Sequence, residues 1–193
     1  MKKKMISIAA IVICLSILTS GTLAYRTVAD TARNVITSNG IGVEVMEQQL
    51  VGENLELYPS NKEIPVMPTT KVSKIVSAKN NEAPAWIRMK YTMTVTDADN
   101  KILDISQEDL EKVILIDTDD ENWTEKDGWF YYNTAVNKDE TTKPLFTEVT
   151  FSGPNMDNTY QQTTVKINVV VQAVQKANNG TTALDAAGWP EAT

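Results

Sequence analysis

Histidine is absent from this 193-residue chain, and cysteine occurs once, at Cys14. Without imidazole the commonest general base, the usual zinc ligand and the Ser-His-Asp arrangement are all unavailable. Cys14 lies inside an apolar run near the amino end, so a chain cut after that run has no thiol. That removes disulfides, Cys-ligated metals and Cys nucleophiles together. Lipidation at Cys14 would need a small residue just before it, and Ile13 is not small. Positive charge is scarce after the start. Lys2, Lys3 and Lys4 are the only charges in the first 24 residues, and the fifteen basic and twenty-five acidic residues that follow leave a net charge of −10. Such a surface repels nucleic acid and anionic lipid, so no nucleic-acid partner is expected.

What is present begins with a three-part leader. Met1 to Met5 supplies positive charge, Ile6 to Leu18 an apolar stretch, and Thr22-Leu23-Ala24 places small residues at the −3 and −1 positions of a cut. A permanent span wants about twenty apolar residues, more than this run offers, and Ser7 and Ser16 dilute it. The expectation is a signal peptide over residues 1–24, cleaved after Ala24 to leave Tyr25 as the new amino terminus. Contact with the membrane is then transient, through that peptide alone, and the product is secreted.

The remainder reads as strands. In "WIRMKYTMTVT", Ile87, Met89, Tyr91, Met93 and Val95 share one face, and Arg88, Lys90, Thr92, Thr94 and Thr96 share a wet one. In "TVKINVVVQAV", Val165, Ile167, Val169, Val171 and Ala173 point inward, while Val170 and Val174 add apolar residues to the other side, as in a central, partly covered strand. Shorter candidates are "IGVEV" (41–45), "KVSKIVSA" (71–78), "VILID" (113–117), "WFYYN" (129–133) and "LFTEVTF" (145–151), making seven strands in all. Turn residues such as Asp127-Gly128 and Gly153-Pro154-Asn155 separate them. Ser106 followed by Asp109 and Leu110 predicts one short helical insertion. The fold expected is all-β, an antiparallel sandwich. A lead segment over 25–40 precedes the sandwich at 41–178, and a loose tail over 179–193 follows it, with Trp189 tucked back.

Four stretches in this order resemble the TasA/camelysin family of exported Gram-positive proteins, which a dedicated SipW-type signal peptidase processes. They are the junction "SGTLAYRTVADTARNVITSNGIGVEV", the proline-rich "YPSNKEIPVMPTTK", the strand pair "KIVSAKNNEAPAWIRMKYT", and the late "WFYYNTAVNKDETTKPLF" with "VKINVVVQAVQ". The resemblance implies a jelly-roll or immunoglobulin-like sandwich, secretion to the cell surface or extracellular matrix, that signal peptidase as a partner during export, and assembly into biofilm matrix fibres. Some relatives are labelled metallopeptidases. Members of the family often follow the cut with an aromatic pair and an early acid, whereas Tyr25 is followed here by Arg26-Thr27-Val28-Ala29-Asp30.

Three candidate sites follow. For assembly with itself or a related fibre subunit, the segment from Tyr25 to Thr31 is the natural strand donor to a neighbour's sheet edge. Tyr25, Thr27 and Ala29 share one strand face, whereas Tyr25, Val28, Ala32 and Val35 fit one face of a short helix, and an ordinary lead-in packed on its own domain is the plainer alternative. The aromatic run Trp129-Phe130-Tyr131-Tyr132 must place a pair on each side of a sheet, making Trp129 and Tyr131 a candidate contact for a sugar or a partner. Packing under a neighbouring loop is the commoner fate of such a pair. "DTDDENWTE" (117–125) spaces oxygen ligands as a calcium loop does, yet Asn122 stands where the loop glycine belongs and Gly128 where the closing glutamate belongs. A solvated acidic loop is the simpler expectation there. With no His-Glu-x-x-His, neither peptidase chemistry nor a metal or other cofactor is expected. No carboxylate pair stands out as glycosidase-like.

Overall fold

The computed structural model describes residues 42–59 and 62–190, which form two antiparallel five-stranded sheets and one short helix. In chain order the strands are β1 (Val43–Val51), β2 (Asn54–Leu57), β3 (Ile64–Pro65), β4 (Lys71–Asn80), β5 (Ala85–Thr96), β6 (Ile114–Ile116), β7 (Trp123–Lys126), β8 (Trp129–Tyr132), β9 (Phe146–Phe151) and β10 (Thr164–Gln175), with helix α1 (Gln107–Val113) between β5 and β6. One sheet has the order β2-β1-β4-β9-β6 and the other β3-β10-β5-β8-β7.

The spine of the second sheet is the β5–β10 ladder, in register from Ala85↔Gln175 to Thr96↔Thr164. Its pairing sets Ile87 beside Ala173, Met89 beside Val171, Met93 beside Ile167 and Val95 beside Val165. All of these are buried in the space between the sheets. The period-2 reading of both strands therefore holds. From the first sheet Val43, Val76, Ala78, Val149 and Phe151 fill the same core, with Phe146 from β9 beside them. Tyr91 stacks on Phe130 at 5.6 Å and meets Phe146 edge-on at 5.8 Å, which ties the two sheets together through aromatic rings.

Helix α1 begins as the sequence expects. Ser106 Oγ accepts from the Asp109 amide at 3.1 Å and donates to Asp109 Oδ2 at 2.7 Å, while Leu110 and Val113 anchor the helix in the core. The β7–β8 hairpin turns on Asp127 (φ 54°) and Gly128 (φ 73°), the pair of left-handed residues that a tight two-residue hairpin requires.

The described residues form ten strands where the sequence suggests seven. The additional ones, β2, β3 and β7, are two to four residues long and too polar or too short to show alternation. β1 runs six residues past its predicted end, because Glu47, Gln48 and Gln49 pair normally with β4 and β2 despite their polarity. A second correction concerns residues 179–190, expected as a loose tail. Trp86 Nε1 donates to the Asn179 carbonyl at 2.7 Å, and Ala183 and Ala186 are buried. The side-chain amide of Asn179 both accepts from and donates to the backbone of Ala187, at 2.8 and 3.0 Å. This segment is a strap fastened across the outer face of the second sheet.

Candidate functional site

The strap covers a small aromatic cluster built from alternate residues of three strands. β5 contributes Trp86 and Arg88, β8 contributes Trp129 and Tyr131, and β10 contributes Gln172 and Val174. Cross-strand register places Arg88 between Gln172 on one side and Tyr131 on the other. Its guanidinium donates from Nε and Nη2 to Gln172 Oε1 at 2.9 and 2.7 Å, from Nη1 to the Tyr131 hydroxyl at 3.0 Å, and from Nη2 to the Pro190 carbonyl at 3.1 Å. Its carbon lies 4.1 Å from the ring centre of Trp129 and 4.7 Å from that of Trp189.

Arg88 is only 8% exposed, against the expectation that it lies on a wet face. No carboxylate among the described residues ion-pairs with it. Neutral acceptors and the electron-rich faces of two indoles carry the charge instead, an arrangement suited to a flat, weakly hydrated guanidinium. Because Gln172 Oε1 takes both bonds from Arg88, the orientation of that amide is fixed. Its Nε2 is left buried without an acceptor, as is Trp189 Nε1.

The candidate contact residues Trp129 and Tyr131 are thus brought together on one face, and both are buried, at 7% and 8% exposure. As an open platform for a sugar or a partner the pair is corrected: the strap and Trp189 already occupy it, with Tyr131 and Trp189 meeting edge-on at 5.7 Å. Phe130 and Tyr132 pack toward the main core from the other face. Sequence reasoning missed Arg88 and Gln172. The available signal was their position on the same strand faces as Trp86 and Val174, together with the lone Trp189 in an Ala- and Gly-containing stretch near the end of the sequence.

In the acidic loop the carboxylates are engaged in local structure. Asp117 Oδ1 accepts from the amides of Thr147 and Glu148 at 2.8 and 2.6 Å, and its Oδ2 accepts from the Thr147 hydroxyl at 2.5 Å. Asp119 accepts from the backbone amides of Glu121 and Asn122 at 3.1 and 3.2 Å and from the Asn122 side chain at 2.8 Å. Among the described residues no group of three or more acidic side chains converges on a point that suits a metal ion.

A second unanticipated cluster lies on the inward side of β1 and β4. Lys74 is buried, its Nζ 2.9 Å from Glu47 Oε1 and 3.9 Å from the centre of the Tyr58 ring. Burial pushes the lysine pKa down, and Glu47 partly restores it. Burial, with Glu47 assisting, pushes the Tyr58 phenol up to about 12.

Four of the eight exposed large apolar side chains among the described residues gather elsewhere, on the hairpin of β1 and β2. Leu50, Leu55 and Leu57 are each more than half exposed, at 54%, 53% and 68%. Leu50 pairs directly with Leu55, and Leu57 lies two residues along the same strand, so the three share one face. The remaining predicted positions, Thr22, Ala24 and Tyr25 at the cut and Val28, Ala29, Ala32 and Val35 in the lead segment, lie outside the described residues. No protein-family model matches the chain, and neither a curated protein nor a solved structure matches it.

Proposed function

We propose that this chain is a secreted, non-enzymatic structural protein of the cell surface or extracellular matrix, acting by association with further copies of itself or with a related fibre subunit. One observation carries this reading: three of the five large apolar side chains more than half exposed among the described residues, Leu50, Leu55 and Leu57, lie together on β1 and β2, and β2 is the border strand of the first sheet as described. Sheet borders of that kind recruit strands from other chains. Asp117, Asp119 and Arg88 each hold backbone in place, which suits a structural role for those three side chains. In this reading the export signal delivers the chain, the dedicated signal peptidase exposes Tyr25, and the segment from Tyr25 to Thr31 adds a strand to a neighbour. The jelly-roll or immunoglobulin-like topology and the TasA-like role in biofilm fibres belong to the same proposal.

Size-exclusion chromatography and negative-stain microscopy test it, comparing protein that starts at Tyr25 with a version lacking residues 25–36. Filaments or higher oligomers, beyond any dimer, are expected from the first and not from the second. An intact form that stays monomeric under all conditions, with related subunits present, overturns the proposal.

A further inference from the structure

The β1–β2 hairpin has a hydrogen-bond parity that can be read from two contacts. The Tyr58 amide donates to the Glu47 carbonyl at 2.9 Å, so the pairing of residues 47 and 58 is a hydrogen-bonded one. Antiparallel ladders alternate, which makes Gln49↔Glu56 and Val51↔Asn54 hydrogen-bonded pairs and leaves Gln48↔Leu57 and Leu50↔Leu55 as the open ones. The Leu50 amide agrees, since it turns away from β2 to donate to Ser73 Oγ at 2.9 Å. The amides and carbonyls of Leu55 and Leu57 therefore point outward from β1, along the border of the sheet. β2 is the last strand in that order.

We propose that β2 pairs with β2 of a second copy in a two-fold antiparallel contact. The strand is self-complementary in one register above the others. Centring the two-fold axis on Glu56 sets Leu55 of each copy opposite Leu57 of the other, and at each such pairing both residues exchange main-chain bonds. The same register joins the two exposed leucine faces into one apolar surface, as adjacent strands of a continuous sheet do. Shifting the axis to Leu55 sets Leu57 against Glu53 in the turn, and shifting it to Leu57 sets Leu55 against Pro59, which has no amide to give.

The favoured register has a built-in opposition, because Glu56 of one copy faces Glu56 of the other across an open pair, where side chains lie closest. Gln49 is the partner of Glu56 on β1 and already accepts from Lys62 at 3.0 Å. A contact of four residues per copy falls below the ~1,000 Å² of a stable interface, so affinity is weak, on the order of 0.1–1 mM. The contact uses a border of the domain itself and does not depend on the amino-terminal segment. It supplies lateral pairing where many copies are held close together.

Sedimentation velocity across the micromolar to millimolar range tests the contact, on protein starting at Tyr25 and on the version lacking residues 25–36, so that loss of amino-terminal assembly reads separately. Both forms are expected to pass from monomer to dimer as concentration rises. Leu57→Pro removes an outward amide that β1 does not use, and should weaken dimerisation at least ~10-fold with the thermal midpoint unchanged. Glu56→Gln should strengthen it several-fold, with the thermal midpoint unchanged and the dimer as the end state, which separates the gain from association of misfolded chains. A monomer throughout the range, or a dimer indifferent to both substitutions, overturns the proposal.

Discussion

Arg88 and Gln172 face one another across the β5–β10 ladder, and a single oxygen of Gln172 accepts from both Nε and Nη2 of the arginine, at 2.9 and 2.7 Å. The pair explains how a strap with no secondary structure stays in place. Arg88 is the common partner of the sheet and of the Pro190 carbonyl, and its flat cation fills the gap between Trp129 and Trp189. Arg88→Lys keeps the charge but loses the forked geometry and most of the hydrogen bonds. It is expected to destabilise the protein by about 2–3 kcal/mol in urea unfolding. Limited proteolysis should cut first within residues 179–190, and an unchanged cleavage pattern would count against the role given to Arg88.

Trp189→Ala should release the strap while leaving the sandwich folded. Two buried residues, Trp129 and Tyr131, then meet water. A red-shifted tryptophan emission is expected, with a loss of about 1–3 kcal/mol, less than the 3–5 kcal/mol of a tryptophan lost from a sealed core.

Alkaline pH should unfold the protein through two phenols. Burial holds Tyr58 and Tyr91 neutral up to about 12, with Glu47 adding to the effect on the first and Glu111 and Glu125 to that on the second. In the unfolded chain both ionise near the ordinary value of 10.0. A raised folded pKa contributes stability that is complete below pH 10 and is lost as pH climbs toward 12. Denaturant midpoints should therefore fall across that window, and absorbance titration of the native protein should show Tyr58 and Tyr91 ionising late, with Tyr160 raised in the same direction. Loss of stability confined to a window below pH 10 would contradict this account.

Lys74 behaves in the opposite sense. Its folded pKa lies below the ordinary 10.5, so between the two values the unfolded chain binds the proton more tightly and stability rises with pH. Lys74→Met removes the buried ammonium, and Glu47, whose side chain is 34% exposed, can turn to solvent. The substitution should be neutral or stabilising by up to about 2 kcal/mol at pH 7. Its advantage should shrink as pH approaches 10.5. Paired urea melts at pH 7 and pH 10 give the comparison.

Asp117→Ala tests the acidic loop. Its carboxylate accepts from the Thr147 amide, the Thr147 hydroxyl and the Glu148 amide. Bonds to a charged acceptor contribute about 1.5–3 kcal/mol, so a loss near 2 kcal/mol is expected, and it should be independent of added calcium if the carboxylate serves only this backbone.

The sequence is most legible where one strand spans many alternations. β5 and β10 declare their inward faces through Ile87, Met89, Val165 and Ile167, and Ser106 and Asp127-Gly128 mark a helix start and a hairpin in local chemistry. β2, β3 and β7 leave no such trace, because two to four residues cannot establish a period. The strap is hidden for a different reason. Its partners lie far away in sequence, Trp86 ninety-three residues from Asn179 and Arg88 one hundred and two from Pro190, while its own composition resembles a linker. Arg88 reads as solvated for the same reason, since only those distant contacts reveal what covers it. The aromatic pair is visible as a pair and Trp189 as tucked back, but nothing local in the sequence says that the one covers the other.

The way the strap is fastened bears on mechanical behaviour. A pull applied beyond residue 190 meets the Arg88 and Trp86 attachments before it reaches the end of β10. Tension therefore enters through β5 in the middle of the sheet, and the molecule resists peeling from that side until those two moorings part.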